Sequence, residues 1–179
     1  MSIQKVAIFG GSFDPPHNAH IEIVKEALDS LDIDILVIFP SFLNPFKKNF
    51  NAHPFERLGW VKKIFSGFKR VDIDSFEIDR GRPTPTHLSV EYIKKKYSPK
   101  KIYLIVGADN FTHIEKWENY ERLKDEVEFV VAKRDRVDIP KGYKVLDIQN
   151  SVSSTKIRDG EYLDSVPLEI KKEVKDRYL

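Results

Sequence analysis

The sequence has no cysteine among its 179 residues. Disulfide cross-links, thiolate catalysis and cysteine-ligated zinc are therefore excluded as sources of stability or chemistry. No apolar run approaches the roughly 18 residues that a membrane-spanning helix requires, and the chain opens directly on a strand-like segment without the pattern of a secretory leader. We therefore expect a cytoplasmic protein with no membrane partner.

An excess of charge of one sign is also missing. Thirty basic and 28 acidic residues leave a net charge of +2, which argues against broad binding of a nucleic-acid backbone. We expect no nucleic-acid partner. Hydrophobic residues make up 41% and charged residues 32% of the chain, which suits a packed core below a solvated surface. This length predicts one domain spanning residues 1–179.

Short apolar segments alternate with amphipathic ones along the chain. Strands are predicted at residues 5–9, 33–39, 71–77, 101–106 and 128–132, because these runs are apolar and rich in branched and aromatic side chains. Helices are predicted at residues 18–31, 54–65, 86–97 and 163–178, and residues 110–123 are expected to be helical or partly so. Residues 41–53 are expected to form a loop. Repeated alternation predicts an α/β fold with a doubly wound, mainly parallel sheet.

The segment that follows the first strand, GGSFDPPHNAH at residues 10–20, suits phosphate binding. Gly10 and Gly11 allow the backbone to approach a ligand closely, and a helix N-terminus near His17 presents N–H groups to an anion. His17 and His20 share one face of the first helical turn. The spacing differs from a G-x-G-x-x-G motif, a P-loop and a zinc helix. The alternative is a turn whose histidines only cap the helix.

A second candidate segment, VSSTKIRDG, lies at residues 152–160. Its hydroxyl residues Ser153, Ser154 and Thr155 can cap a helix, and Arg158 carries a planar, charged fork that matches phosphate geometry. The alternative is an ordinary helix cap followed by a surface arginine.

These two segments resemble the paired signatures G-[ST]-F-D-P-x-H-x-G-H and I-S-S-T-x-I-R of the nucleotidyltransferase α/β-phosphodiesterase superfamily. The resemblance implies a Rossmann-like fold with helices on both faces of the sheet. It also implies that the protein transfers a nucleotidyl group from a nucleoside triphosphate, with Mg²⁺ bound to the phosphates. It implies that His17, His20 and Arg158 are catalytic. The ATP-binding set that it implies is Gly10, Gly11, Ser12, Phe13, His17, His20, Gly107, Asp109, Ser153, Ser154, Thr155 and Arg158.

Features between the signatures are similar to bacterial nicotinate-nucleotide adenylyltransferases. They are an N-P-F-K loop at residues 44–47, an arginine opening the following helix, R-P-T-P-T at residues 82–86, V-G-A-D at residues 106–109 with a tryptophan eight residues later, and an arginine after the FVVAK strand. The resemblance implies that the acceptor is bound by Lys47, Arg57, Thr86, Asp109, Trp117 and Arg134. It implies no metal ligand from the protein itself.

Three positions depart from the family pattern. Ala19 replaces the second motif glycine, so we expect a methyl group to project toward the nucleotide. Phe46 replaces a loop histidine, and Pro85 replaces the tyrosine before Thr86.

The predicted reaction is adenylyl transfer from ATP to nicotinate mononucleotide, giving nicotinate adenine dinucleotide and pyrophosphate. Nicotinamide mononucleotide and pantetheine phosphate are alternative acceptors within the superfamily, and a non-catalytic nucleotide sensor is an alternative of another class. The sequence leaves the oligomeric state open, with a homodimer as one alternative.

Overall fold

The structure, a computed structural model, describes residues 2–134 and 138–179. A sheet of six parallel strands has the order β3-β2-β1-β4-β5-β6. The strands are β1 (Lys5–Gly11), β2 (Ile35–Pro40), β3 (Val71–Ile73), β4 (Lys101–Gly107), β5 (Glu128–Lys133) and β6 (Lys144–Asp147). This order is that of a doubly wound Rossmann sheet. The predicted fold class is confirmed, and the described sheet is parallel throughout.

Eight α-helices and two 3₁₀ turns are described around the sheet in residues 2–134 and 138–179. The helices are α1 (Asn18–Ser30), α2 (Pro54–Phe65), α3 (Phe76–Asp79), α4 (Thr86–Tyr97), α5 (Ala108–Phe111), α6 (Tyr120–Glu126), α7 (Ser154–Arg158) and α8 (Lys171–Tyr178). The 3₁₀ turns cover Ile114–Lys116 and Leu163–Ser165.

Alternate residues of β1 belong to two separate hydrophobic cores. Ala7 and Phe9 pack in a core with α1, α2 and α8, whereas Val6 and Ile8 pack in a core with α4 and α6. Since successive side chains of a strand point to opposite faces, helices cover both faces of the sheet. Burial on both faces is the physical reason that the central strands read as continuous apolar runs.

Two predicted elements differ from the observed ones, one observed strand was not predicted, and the helical stretch at residues 110–123 is divided. It consists of the end of α5, a 3₁₀ turn and the start of α6, because Trp117 has an extended backbone and Asn119 a left-handed one. The strand predicted at residues 71–77 ends at Ile73, because the Asp74 carboxylate accepts the N–H of Phe76 at 2.9 Å and helix α3 begins there. Strand β6 was not predicted from the sequence. It is an edge strand with only one buried residue, Leu146, and therefore has no continuous apolar run. The helix predicted at residues 163–178 is helical in its second half, Lys171–Tyr178, and only a 3₁₀ turn in its first.

In such a sheet, ligands bind beyond the carboxyl ends of the strands where the strand order reverses. Here the reversal lies between β1 and β4. No helix within the described part of the chain is long and apolar enough to cross a membrane. The cytoplasmic location, the absence of a nucleic-acid partner and the single-domain organisation stay predictions.

Candidate active site

A cavity of about 560 Å³ opens at the carboxyl ends of β1 and β4, and its size is typical of small-molecule sites. Gly10 and Gly11 end β1 in its wall, and Gly107 ends β4 opposite them. A Cβ added to Gly107 would meet no atom within 4 Å, whereas one added to Gly11 would lie 3.0 Å from the Phe13 ring. Gly11 thus lets the buried Phe13 ring pack below the loop, and Gly107 leaves space for a ligand.

The two motif histidines lie together at the start of α1. Their rings stack with centroids 3.8 Å apart, and both line the cavity. The backbone N–H of His17 donates to Nδ1 of His20 at 3.1 Å. The proton of a neutral His20 ring is therefore carried on Nε2, where it can be donated. Nδ1 of His17 is buried and has no hydrogen-bond partner among the described residues.

Burial keeps both imidazoles uncharged. It lowers the pKa of His17 to about 3, and the positive charge of Arg134 acts in the same direction. Burial also lowers the pKa of His20 well below its ordinary value, assisted by His17 and Arg134. At neutral pH the pair therefore presents neutral hydrogen-bonding groups, not imidazolium charges, to the cavity.

The second motif meets the first across the cavity mouth at α7. Ser153 caps this helix and accepts the N–H of Lys156 at 3.4 Å, while the Ser154 hydroxyl donates to the carbonyl of Pro15 at 2.8 Å. The guanidinium of Arg158 donates to the carbonyl of Asp14 and, at 3.1 Å, to Oγ1 of Thr155. The two motifs, some 140 residues apart in sequence, are thus joined by hydrogen bonds.

Further cations surround the histidines. Arg134 donates to the carbonyl of Val152 at 2.9 Å and to Oδ2 of Asp109 at 3.0 Å. The ammonium of Lys47 lies close enough to Arg158 that partial burial, together with this like charge, lowers the pKa of Lys47. Lys47 and Arg134, both predicted to bind the acceptor, therefore lie beside the two motifs that are predicted to bind phosphate.

The opposite end of the cavity is formed by the start of α4 and by the segment after β4. Thr86 is the first residue of α4, and it lines the cavity together with Trp117. The two segments lie close together: Nε2 of His87 in α4 is 3.7 Å from Oε1 of Glu118 in the segment after β4. The cavity is therefore lined both by the predicted phosphate-binding residues and by the predicted acceptor residues.

Two predictions are corrected by the structure. Arg57 does not line the cavity: it is 1% exposed and donates to four backbone carbonyls, those of Ser12, Ser41, Phe42 and Ala52. A guanidinium satisfied in this way ties loops together rather than contacting an acceptor. The methyl group of Ala19 does not project toward the nucleotide either, because Ala19 is fully buried in the core below α1. The other two departures, Phe46 and Pro85, do line the cavity.

Three functional candidates were missed from the sequence. Asp14 lies inside the first motif but carries no predicted role, although its buried carboxylate connects three chain segments. Glu77 lines the cavity, accepts the Ser89 hydroxyl at 2.6 Å, and has a pKa raised by burial to about 7. Tyr178, at the end of α8, donates to Asp14. Only Asp14 could have been identified from the sequence, because it lies within the first motif, whereas Glu77 and Tyr178 lie in neither motif.

Comparisons with known proteins agree with this geometry. The family model described as cytidylyltransferase-like matches residues 8–160. A probable nicotinate-nucleotide adenylyltransferase of Nitratiruptor sp. is 50% identical over 86% of this chain and 87% of its own length. One of Campylobacter jejuni is 47% identical over 97% of this chain and 96% of its own length. The solved structure of Plasmodium falciparum nicotinic acid mononucleotide adenylyltransferase complexed with NaAD has a TM-score of 0.73 at 21% identity, covering 95% of this chain and 89% of that one. This structural likeness concerns the fold.

Proposed function

The chain belongs to the cytidylyltransferase-like family, and we propose that it transfers the adenylyl group of ATP to nicotinate mononucleotide, forming nicotinate adenine dinucleotide and pyrophosphate. The family prediction made from the two motifs is confirmed by relatives that share 41–50% of their residues with most of this chain. The single observation that carries the proposal is the cavity, which brings a phosphate-binding end and an acceptor end to one switch point.

The phosphate-binding end suits a triphosphate for electrostatic reasons. Helices α1 and α7 both begin at the cavity, and a helix N-terminus favours anions through its free N–H groups and its dipole. Arg158, Arg134 and Lys47 add positive charge, and the two neutral histidines add hydrogen-bonding atoms. We therefore place the triphosphate of ATP at this end.

The acceptor end suits a planar ring that carries a carboxylate. Trp117 is only partly buried and lines the cavity, so its indole can stack on a pyridine ring. The N-terminus of α4, a helix of 12 residues, lies beside it with the Thr86 hydroxyl at its first position. Because a helix N-terminus stabilises negative charge, this arrangement favours the acid over the amide form of the acceptor.

The proposed chemistry is an in-line displacement at the α-phosphorus. An oxygen of the acceptor 5′-phosphate forms a bond to that phosphorus, while the bond to the bridging oxygen of pyrophosphate breaks and this oxygen takes the electron pair. The attacking phosphate is already ionised at neutral pH, so no general base is required. Catalysis then consists of positioning two polyanions and stabilising the charge that develops between them. We assign this stabilisation to His17, His20 and Arg158.

Mg²⁺ forms part of the proposal as an ion that enters with ATP. Within residues 2–134 and 138–179 there is no group of three or more histidine, aspartate or glutamate side chains that could hold a metal ion. The phosphate oxygens themselves are therefore the ligands we propose. When bound there, Mg²⁺ neutralises part of the triphosphate charge.

Pyrophosphate release tests the proposal. The purified protein is incubated with ATP and Mg²⁺ and, separately, with nicotinate mononucleotide, nicotinamide mononucleotide, phosphopantetheine or no acceptor. We expect release with nicotinate mononucleotide, and a lower kcat/KM with the other acceptors. His113→Ala, a change at an exposed histidine outside the cavity, is the matched control for histidine substitutions in the site.

Two results would contradict the proposed function. Absence of pyrophosphate with every acceptor would favour a nucleotide sensor. A higher kcat/KM with nicotinamide mononucleotide or phosphopantetheine would show that the protein catalyses one of the alternative reactions instead. A homodimer stays a prediction that this assay does not address.

A further inference from the structure

The carboxylate of Asp14 lies at the junction of three segments that are distant in sequence. Asp14 is 3% exposed. Its Oδ1 accepts the backbone N–H of Ala52 at 3.0 Å, and its Oδ2 accepts the backbone N–H of Asn51 at 2.8 Å and the side-chain amide of Asn51 at 3.3 Å. These bonds fix the end of the loop that carries Lys47. Because buried charges are costly unless they are hydrogen-bonded, this set of donors is needed to keep an ionised Asp14 in place.

The C-terminal helix supplies the remaining donor. Tyr178, the last residue of α8, donates its hydroxyl to Oδ1 of Asp14. The adjacent Arg177 donates to the carbonyl of Asn51 at 2.7 Å. Hydrogen bonds from Tyr178, Asn51 and Ala52 lower the pKa of Asp14 against the opposing effect of its burial. The end of the chain thus contacts both the first motif and the Lys47 loop.

The same stretch of the first motif holds the second motif through its backbone. The carbonyl of Asp14 accepts from Arg158, and the carbonyl of Pro15 accepts from the Ser154 hydroxyl. A displacement of Asp14 would therefore move the acceptors that orient Arg158 and Ser154. Thr86 and Trp117, at the acceptor end of the cavity, lie on other segments, α4 and the residues after β4, and take part in none of these contacts. Lys47 was predicted to bind the acceptor, but it lies beside Arg158 at the phosphate end.

We propose that Tyr178 is a positioning residue for the triphosphate end of the site: its hydroxyl holds the Asp14 carboxylate, and the backbone of Asp14 and Pro15 in turn holds Arg158 and Ser154. The inference rests on the proposed function, because it treats Arg158 and Ser154 as phosphate ligands. It assigns a role in ATP binding to the part of the chain that lies beyond both motifs.

A purely structural role for Tyr178 would affect both substrates alike. Its ring lies 6.1 Å from that of the buried Trp60, and Val174 anchors α8 in the core. Loss of this packing would lower the stability of the whole protein. Loss of the hydroxyl alone removes only the contact with Asp14, so Tyr178→Phe separates the two roles by retaining the ring.

The test measures KM for ATP and for nicotinate mononucleotide in Tyr178→Phe. We expect the ATP KM to rise about tenfold, the effect expected for the loss of one hydrogen bond to a charged group, and the acceptor KM to stay within about twofold. Tyr162→Phe, at an exposed tyrosine of the same C-terminal stretch, is the control and should leave both KM values unchanged. Asp14→Asn provides a second variant, because it removes the charge that accepts the Tyr178 hydroxyl, and it should raise the ATP KM in the same direction.

An unchanged ATP KM in a folded Tyr178→Phe protein would overturn the inference, and so would an equal rise in both KM values. If Tyr178→Phe does not fold, Asp14→Asn decides, since it weakens the same hydrogen bond from the other side and an unchanged ATP KM there has the same consequence. The unsubstituted protein is measured in the same assay. Lack of turnover in that protein refutes the proposed function, whereas turnover with an unchanged variant refutes only the role of Tyr178.

Discussion

The neutral state of the buried His17 ring makes a quantitative prediction about stability and pH. Burial and the charge of Arg134 lower the pKa of His17 from 6.5 to about 3 in the folded protein. Between these two values the unfolded chain binds a proton that the folded protein excludes. The stability that depends on a neutral His17 is therefore fully present above about pH 6.5 and is lost as the pH falls toward 3.

The size of this effect follows from the two pKa values. Each pKa unit corresponds to about 1.4 kcal/mol, so the full loss is on the order of 5 kcal/mol at strongly acidic pH. At about pH 5 the loss already amounts to roughly 2 kcal/mol, a large share of the stability of a typical domain.

Replacing His17 by asparagine removes the titrating group and retains a residue that is favourable at a helix N-cap. We expect the free energy of unfolding of the unsubstituted protein to fall by about 2 kcal/mol more than that of His17→Asn between about pH 7.5 and pH 5. Urea unfolding at each pH measures this difference. His20 is present in both proteins, so its own contribution cancels to a first approximation.

The control is His113→Asn, since His113 is exposed in the folded protein. This variant controls for the chemical change from histidine to asparagine. Equal pH dependence in His17→Asn and the unsubstituted protein, within about 0.5 kcal/mol, would refute the conclusion that His17 is buried in the neutral form.

Three further outcomes follow from the site. His20→Ala should lower kcat by about 10²–10³, as for loss of one transition-state donor, and a variant that keeps more than about half the rate would contradict the assigned role. Trp117→Ala should mainly raise the acceptor KM, because stacking supports binding more than chemistry; a reduced kcat at unchanged acceptor KM would contradict it. Burial raises the pKa of Glu77 from 4.5 to about 7, so between these pH values the folded protein holds a proton that the unfolded chain has lost. The stability that depends on protonated Glu77 is fully present below about pH 4.5 and is lost as the pH rises through 7. In urea unfolding, the stability of the unsubstituted protein should therefore fall by about 3 kcal/mol relative to that of Glu77→Gln over this rise in pH.

The features that could be predicted from the sequence depend on local order. Strands buried on both faces read as apolar runs, such as the one at residues 5–9, and they alternate with amphipathic helices. The fold class follows from this alternation. The two motifs are short and continuous, so they were recognisable without any knowledge of which strands are neighbours. Their resemblance to the paired signatures of one superfamily implied that His17, His20 and Arg158 belong to one site.

The tertiary structure alone decided how individual side chains are used. Arg57 lies in a helix that was predicted correctly, yet its guanidinium is directed to four carbonyls of distant loops. The methyl group of Ala19 packs into the core, although the position belongs to a ligand-binding motif. Neither direction is visible in a local pattern, because each depends on which remote segments pack against the residue.

The charge state of the site has the same origin. The sequence shows two histidines three residues apart, but it is their burial, near Arg134, that lowers their pKa values. Residues 160–179 carry little family pattern, and the link from Tyr178 to Asp14 exists only because the chain returns to the first motif after some 160 residues. Sequence therefore determined the fold class and the reaction type, which follow from local patterns. Packing between distant segments determined which residues line the site, which support it and which carry charge.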